Sequence, residues 1–464
     1  MVHASIPAVP VRPALTRESR FLLAGVPMLA VLFLGIALWN GFPLMYYDTA
    51  GYLVQGLAGA FLPERSPVYS FLLLFTGAEV SLWPVVILQA LMTGYLIALT
   101  ARIEVPGLSL KGLAWIGGGL MLLTGIGWYV GQVEPDCMTA LLVLGCYLLL
   151  FRARALDRTA RNLVIAITAL AVASHPSHLG LIAGLLLAGA ALHFFGAMLP
   201  RLPRPRLKST AAAFAIALSL IFASNLALAQ SLFISRAGSV FLFARLMQDG
   251  IIQRLLHDTC PGSGYQLCPY QRRLPHNANM WLWGSKSLFH REGGFSASQS
   301  EDNRMILDSL KRYPLAHIKA AIADSVEQFF EFRTGDGIES QAFILWPEIK
   351  KVAPGQLAAY ERARQQTQKF PFQVLNMIHV TVGGLALLGI IMLLNHAVLR
   401  RRWADMALPG TVLLGLMGNA IICATFSNPH DRYQSRLMWL PALVLLLALA
   451  RNRNALHPEE ESGT

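Results

Sequence analysis

The chain contains few charged residues for its length. Only 14% of its 464 residues are charged, whereas 55% are hydrophobic, and the mean hydropathy is +0.49. An ordinary soluble domain carries about 25% charged residues. A soluble protein of this composition would lack the polar side chains needed to cover its core. The composition therefore excludes a soluble enzyme, a disordered protein and a fibrous repeat.

Cysteines and acidic residues are also scarce. Five cysteines are too few for a disulfide-rich scaffold. The 26 acidic residues are outnumbered by 38 lysines and arginines, which gives a net charge of +12. In a soluble protein this excess would suggest nucleic acid as a partner. In a membrane protein its first explanation is topology, because basic residues collect in cytoplasmic loops.

The hydrophobic residues fall in long blocks that predict an all-α polytopic membrane protein. Apolar blocks of about 16–22 residues are long enough to cross a bilayer as helices. Ten spans are predicted: Phe21–Asn40, Ser81–Ala101, Leu110–Gly127, Pro135–Leu150, Asn162–Ala173, Leu179–Leu199, Ala211–Phe233, Gln373–Leu394, Leu408–Phe426 and Leu437–Ala450. The short apolar segment Val68–Phe75 is interpreted as an interfacial helix. The short span Asn162–Ala173 is interpreted as one arm of a helical hairpin broken at Pro176.

Basic residues predict the orientation. With the N-terminus in the cytoplasm, eighteen lysines and arginines lie in the inside segments, and three, Arg65, Arg432 and Arg436, lie in short outside loops. The other seventeen lie in one long outer segment, and the positive-inside rule does not count the charges of long segments. We therefore expect a multi-pass protein of a bacterial-type inner membrane, with both termini cytoplasmic.

This orientation divides the chain into five parts. They are a cytoplasmic segment (1–20), a core of seven spans (21–233) with a first outer loop at 41–80, an outer, periplasmic domain (234–372), three C-terminal spans (373–450) and a cytoplasmic tail (451–464). The acidic end of the tail, Glu459–Thr464, is expected to be disordered.

The outer domain is predicted to be mostly helical. Asp302–Arg312 and Leu315–Phe332 have the apolar spacing of helices. Cys260 and Cys268 are separated by seven residues rich in Gly and Pro, and on the oxidising side of the membrane they can form a disulfide. A zinc site with the nearby histidines of the domain, His257 and His276, is the alternative.

The chemically varied polar residues all fall on the predicted outer side. Asp48 follows the first span between tyrosines, where it can act as a general base or metal ligand. The alternative is that Asp48 caps a helix over Thr49–Ala60. Glu134 and Asp136 can share a divalent cation, Mg²⁺ or Mn²⁺, as a cofactor. They also suit the acidic N-terminus of a helix beginning at Pro135, so both interpretations stay open.

Two further pairs are candidates for binding phosphate. His175 and His178 lie one helical turn apart in the break between two spans, and the alternative is a polar turn. Arg432 and Arg436 lie four residues apart at the mouth of the last span, where guanidiniums suit a phosphate or pyrophosphate headgroup. The alternative for the arginines is snorkelling to lipid phosphates.

The order of these motifs resembles the C-type glycosyltransferase superfamily, of the protein mannosyltransferase-like and aminoarabinose transferase-like kind. The segments that carry the resemblance are Tyr47-Asp48-Thr49-Ala50-Gly51-Tyr52, Arg65-Ser66-Pro67-Val68-Tyr69, a span with Gln89 and Arg102 at its ends, Glu134-Pro135-Asp136 and Arg432-Tyr433. The resemblance covers roughly Phe21–Leu199 and the last two spans, but not Ile234–Phe372.

The resemblance implies a membrane enzyme that takes a sugar from a polyprenyl-phosphate-linked donor and passes it to an envelope acceptor. Asp48 would act as the base. Arg432, Arg436 and Arg65, with the histidine pair, would neutralise the departing lipid phosphate. Glu134 and Asp136 would hold a divalent ion. The donor, the acceptor and membrane lipid are then the partners, and nucleic acid is not.

The sequence also departs from that family. Many members have two adjacent acids in the first outer loop, whereas Thr49 follows Asp48 here, and the Trp-Trp-Asp triplet of oligosaccharyltransferases is missing from the sequence. Two other functions therefore stay open. One is a lipid or polysaccharide transporter or flippase, although the spans are nearly free of charge and show no repeat. The other is a non-catalytic factor in envelope polysaccharide assembly.

Reporter fusions test the predicted orientation. Fusions after Arg206 and after Arg402 should report a cytoplasmic location, because these segments hold the basic residues that topology retains inside. A fusion near Gly293 should report an external one. An external signal at Arg206 would contradict the orientation and would move every candidate residue to the other side.

Overall fold

The structure is a computed structural model that describes residues 17–196, 203–291, 293–296 and 299–456. It is 76% helical, and the described residues contain no β-strand. An isolated bridge joins Leu44 to Gln132. The predicted class, a helical membrane protein, is therefore confirmed at that level. The acidic tail Glu459–Thr464 lies outside the described residues.

The helices fall into three groups along the chain. The first group is α1 (Arg17–Phe33), α2 (Gly35–Asn40), α3 (Tyr47–Leu57), α4 (Pro67–Phe75), α5 (Trp83–Glu104), α6 (Leu110–Leu123), α7 (Ile126–Val130), α8 (Asp136–Phe151), α9 (Arg158–Ala173), α10 (Pro176–Phe195) and α11 (Leu207–Ala229). The second is α12 (Gly238–Gln248), α13 (Ile251–Thr259), α14 (Ala278–Trp283), α15 (Leu288–Arg291), α16 (Gln299–Arg312), α17 (Pro314–Phe330), α18 (Ala342–Val352), α19 (Leu357–Arg362) and α20 (Arg364–Thr367). The third is α21 (Phe372–Leu399), α22 (Ala407–Phe426), α23 (Asp431–Ser435) and α24 (Trp439–Leu456).

Seven segments of the described chain are long and apolar enough to cross a membrane. They are Glu18–Asn40, Trp83–Glu104, Pro176–Phe195, Leu207–Ala229, Phe372–Leu399, Trp403–Phe426 and Asp431–Asn454. Each coincides with one of the ten predicted spans. The other three predicted spans correspond to α6, α8 and α9, which have only 14, 16 and 16 residues. A 16-residue helix is about 24 Å long, less than the ~30 Å hydrocarbon core. The total of about ten spans therefore stays a prediction.

Prolines and polar caps set the helix boundaries near the outer end. Pro67 and Pro176 each occupy the first helical position, where the fixed φ of proline suits a helix start. The chain therefore turns between α9 and α10, as predicted for a hairpin broken at Pro176. α4 corresponds to the predicted short helix, and it packs against α3 and α11.

The described residues form two main hydrophobic cores. The larger core runs through the membrane helices, with α8 at its centre: every residue of α8 except the last is buried. The smaller core belongs to the outer domain and joins α12, α13 and α14 with Met305 of α16. The predicted outer helices are present as α16 and α17. Later parts of the outer segment, including Leu345 and Tyr360, pack against the larger core.

Polar clusters at the two ends of the bundle agree with the predicted partition of the loops. At one end Arg152 pairs with Glu104 at 2.7 Å, and Arg451 pairs with Asp405 at 3.1 Å. Both arginines were predicted to face the cytoplasm. The candidate residues predicted to lie outside meet elsewhere, in the cluster described below. In the structure, the residues predicted to be cytoplasmic and the candidate residues predicted to lie outside therefore form separate clusters.

Cys260 and Cys268 are joined by a disulfide. The other three cysteines, Cys137, Cys146 and Cys423, are free and buried, as expected for packed thiols. In the part of the chain that the structure describes, no group of three or more His, Cys, Asp and Glu residues is arranged to hold a metal ion. The disulfide is therefore favoured over the zinc alternative.

We predict that the disulfide is present in the purified protein. Mass spectrometry of non-reduced digests should detect the Cys260–Cys268 cross-link. Replacing both cysteines by serine should lower the free energy of unfolding by about 2–3 kcal/mol, because the bond restricts the unfolded chain. Free thiols at both positions in protein purified without reductant would contradict the prediction.

Candidate functional site

Four separate segments of the chain bring the candidate residues together at one end of the bundle. Asp48 lies in the first turn of α3, and Arg65 lies in the loop that follows α3. Asp136 begins α8. Arg432 lies in α23, and Arg436 ends that short helix. Residues far apart in the sequence therefore form one cluster, and its contacting pair Asp48 and Arg432 is separated by 384 positions.

The cluster is a chain of alternating charges. Asp48 Oδ1 accepts from Arg65 Nη2 at 2.5 Å, and Asp48 Oδ2 accepts from Arg432 Nη1 at 3.1 Å. Arg432 Nε lies 3.1 Å from Asp136 Oδ2. Asp136 Oδ1 in turn accepts from Arg436 Nη1 at 2.8 Å. The order is therefore cation, anion, cation, anion, cation.

Burial makes this pairing necessary. The side chains of Asp136 and Arg436 are 0% exposed, and that of Arg432 is 7% exposed. Removing an ion from water costs several kcal/mol unless a counter-charge and further hydrogen bonds compensate. Arg436 also donates to Asn419 Oδ1 at 3.2 Å. The guanidinium of Arg432 lies 4.0 Å from the centre of the Tyr46 ring, in cation–π geometry.

Asp48 does not cap α3, so the capping alternative is wrong. The N-cap is Tyr46, whose backbone N–H donates to Thr49 Oγ1 at 3.0 Å. Thr49 occupies the position where many members of the resembled family have a second acid. Its hydroxyl lies 3.0 Å from Glu134 Oε1, to which it can donate. A carboxyl group from the segment that precedes α8 therefore lies beside Thr49.

Glu134 differs electrostatically from Asp136. Burial raises the pKa of Glu134 well above its usual range, and the nearby Asp48 raises it further. The protonated, neutral form is therefore favoured. With Glu134 neutral, the guanidiniums of Arg65, Arg432 and Arg436 face the carboxylates of Asp48 and Asp136, and the carboxylate of Asp336 lies against the backbone of Arg432.

The proposed metal pair has other partners in the structure. Glu134 pairs with Thr49, whereas Asp136 pairs with Arg432 and Arg436. Each carboxylate thus has its own protein contacts. Metal binding by Glu134 and Asp136 stays a prediction, and the contacts favour a role for Asp136 as counter-ion.

The two histidines have different surroundings. His178 is fully buried: its Nδ1 contacts the carbonyl of Ala171 at 2.7 Å, and its Nε2 contacts Thr139 Oγ1 at 2.7 Å. Both ring nitrogens are thus within hydrogen-bond distance of other protein groups, so neither makes the predicted phosphate contact in this structure. His175 caps α10 through Ser177, and it lines the cavity described next. Burial lowers the pKa of His175 well below its usual range, so its neutral form is favoured.

A cavity of about 640 Å³ lies between the membrane helices and the outer domain. Asp48, Arg65, His175 and Arg432 are among its lining residues, whereas Glu134, Asp136, His178 and Arg436 are not. The other walls are largely apolar. They include Leu179, Phe241, Leu242, Leu282, Trp283, Ile422 and Phe426. The cavity therefore combines a charged patch with apolar walls.

Asp336 is a site residue that sequence reasoning missed. Its carboxylate accepts from the backbone N–H of Arg432 at 3.3 Å and lies 3.5 Å from His430 Nδ1. Burial raises the pKa of Asp336, but the bond to His430 and the nearby Arg432 outweigh burial, and its pKa is lowered. The next residue, Gly337, has φ +69°, and a Cβ there would lie 1.8 Å from the Tyr46 ring. The sequence Gly335-Asp336-Gly337 predicts a turn, and this turn is the feature from which Asp336 could have been identified.

Asp431 is adjacent to Arg432 in the sequence, but its carboxylate is bound elsewhere. Asp431 Oδ1 accepts from the backbone N–H of Arg333 at 2.7 Å. The side chain of Arg432 instead turns to Asp48 and Asp136. Distant carboxylates thus replace the adjacent one.

Comparison with known proteins identifies no relative: no protein-family model, curated protein or solved structure matches the chain.

We predict that Asp136 is the structural counter-ion of the cluster. Asp136→Ala leaves the buried Arg436 without its counter-charge, and breaking a buried ion pair from one side costs about 3–5 kcal/mol. Thermal unfolding of the purified variant in detergent should show this loss. Glu134→Gln is the matched control. It is equally buried and two residues away, yet it should change stability by less than about 1 kcal/mol because Glu134 is already neutral. Parent-like stability of Asp136→Ala would contradict the assignment.

Proposed function

We propose that the protein is a membrane glycosyltransferase of the C-type kind. It transfers a sugar from a polyprenyl-phosphate-linked donor to a lipid, glycan or protein acceptor on the outer face of the membrane. The observation that supports this most is the position of Asp48. Its carboxylate lies between two guanidiniums, Arg65 and Arg432, in a cavity whose other walls are largely apolar.

The cavity suits an amphipathic donor. Its volume of about 640 Å³ falls within the ~300–1,000 Å³ that ligand pockets occupy. The charged patch offers two arginines to a phosphate, and a guanidinium binds phosphate through two parallel hydrogen bonds. The apolar walls suit the first isoprene units of a polyprenyl chain. A soluble, highly charged substrate would make no favourable contacts with these apolar walls.

The reaction that fits this geometry is a single inverting displacement. Asp48 takes the proton of an acceptor hydroxyl as that oxygen forms a bond to the anomeric carbon of the sugar. The bond from the anomeric carbon to the phosphate oxygen breaks, and the lipid phosphate departs with its electron pair. Arg432 and Arg65 stabilise the negative charge that develops on the phosphate.

Donor binding also prepares the base. In the structure both oxygens of Asp48 accept hydrogen bonds from arginines. A phosphate that takes over these guanidiniums releases the carboxylate lone pairs, which can then accept the proton of the acceptor. The resting ion pairs therefore link phosphate binding to activation of Asp48.

Loss of Asp48 separates an enzyme from a transporter or an assembly factor. A deletion strain should lack one envelope glycan or glycolipid modification, and the parent gene should restore it. Asp48→Asn should not restore it despite normal protein levels, because an amide cannot accept the proton. The matched control is Asp405→Asn, which changes an arginine-paired aspartate at the opposite end of the bundle. Full restoration by Asp48→Asn would reject the catalytic proposal.

Replacing Arg432 by lysine tests phosphate binding. Arg432 reaches Asp48 and Asp136 through different nitrogens, and a lysine has only one. Transfer from a polyprenyl-linked sugar should fall by roughly 30- to 1000-fold, equal to about 2–4 kcal/mol of transition-state stabilisation. Arg451→Lys is the matched control. Activity of Arg432→Lys within about twofold of the parent, under ~0.5 kcal/mol, would return Arg432 to a structural role.

A further inference from the structure

Helix α17 of the outer segment exposes a continuous apolar face. Five of its side chains are 55–78% exposed: Leu315, Ile318, Ile322, Val326 and Phe330. They are spaced by three or four residues, so they lie on one side of the helix. An exposed apolar stripe of this length on a protein surface usually marks a contact with a partner or a membrane.

The rest of α17 connects the two hydrophobic cores. Ala316 and Ala320, in its first half, pack against the core of the outer domain. Phe329, near its end, and Phe332, just after it, pack in the core of the membrane helices. The helix therefore runs from the outer domain into the membrane-spanning bundle.

The position of Phe332 gives the depth that α17 reaches. A Cβ on Gly383 would lie 3.2 Å from the Phe332 ring, so the two residues are in contact. Gly383 lies eleven residues inside α21, about 17 Å along the helix axis. α21 has 28 residues, so its length of about 42 Å exceeds the ~30 Å hydrocarbon core by about 6 Å at each end. Phe332 therefore lies about 10 Å below the outer edge of the hydrocarbon.

The apolar face of α17 continues a lipid-facing surface. α17 packs along the candidate span α22. On α22 the apolar residues Leu414, Met417 and Ile421 are 45–50% exposed. Lys319 lies on the exposed face close to the outer end of α17, where a lysine can extend its amine to lipid headgroups.

We propose that the second half of α17 is embedded in the outer leaflet, with Val326 and Phe330 against lipid acyl chains. The outer domain is then held to the membrane by this helix as well as by the spans that flank it. The occupant is lipid because the face adjoins the exposed surface of α22 and descends below the headgroups. This inference does not depend on the proposed glycosyltransferase activity.

Site-directed fluorescence in nanodiscs of phosphatidylcholine and phosphatidylglycerol tests the proposal. A cysteine replaces Phe330, or Val326 as a second position, and carries the fluorophore NBD. Leu388→Cys, on the exposed face of α21, is the lipid-facing control. Lys286→Cys, exposed in the outer domain, is the water-facing control. The parent protein gives the background, because its free cysteines are buried.

Lipids with spin labels on their acyl chains should quench NBD at positions 326 and 330 at least half as strongly as at position 388. Iodide in the buffer should quench NBD at position 286 but leave positions 326 and 330 nearly unchanged. Iodide quenching at 326 and 330 equal to that at 286 would overturn the proposal. Protection from both quenchers would also overturn it, because a protein, such as a second copy of this chain, would then cover the face.

Discussion

The site depends on the need to pair every charge that the fold buries. Arg436 and Asp136 are fully buried, and Arg432 is nearly so. Each ion requires a neighbour of opposite sign, because an unpaired one would cost several kcal/mol in this environment. The first turns of α3 and α8 and the short helix α23 are therefore held in one arrangement.

The same arrangement explains how buried arginines can be stable before the proposed anionic ligand binds. In the resting protein Asp48 and Asp136 occupy the guanidiniums that a phosphate would use. Asp136, at the fully buried end, cannot be displaced without exposing Arg436, whereas Asp48 lines the cavity. A ligand therefore competes with one carboxylate and leaves the other in place. In the proposed function, this asymmetry gives Asp136 a supporting role and Asp48 the role of general base.

Sequence patterns predicted the helices better than they predicted the contacts between them. Long apolar blocks and the distribution of arginines depend on local composition, so seven candidate membrane helices and the two separate polar ends of the bundle could be predicted from the sequence. The partner of Arg432 could not be predicted in this way. The adjacent Asp431 accepts a hydrogen bond from the backbone of Arg333, and the observed partner of Arg432, Asp48, lies 384 residues away. Long-range pairing has no local signal in a single sequence. Asp336 was missed for the same reason, although its flanking glycines marked a turn.

The outer domain contributes side chains to the site, so it must be held in a fixed position relative to the membrane helices. Asn279, Leu282 and Trp283 of α14 line the same cavity as Asp48 and Arg432, yet α14 packs in a separate hydrophobic core. If the two cores moved freely, the cavity would open and the polar patch would be flooded with water, which weakens every ion pair in it. A helix that packs in the outer core at one end and reaches the membrane core at the other restricts that motion. α17 meets this description, so the order of the cavity that contains Asp48 and Arg432 depends on a helix that contributes no side chain to its lining.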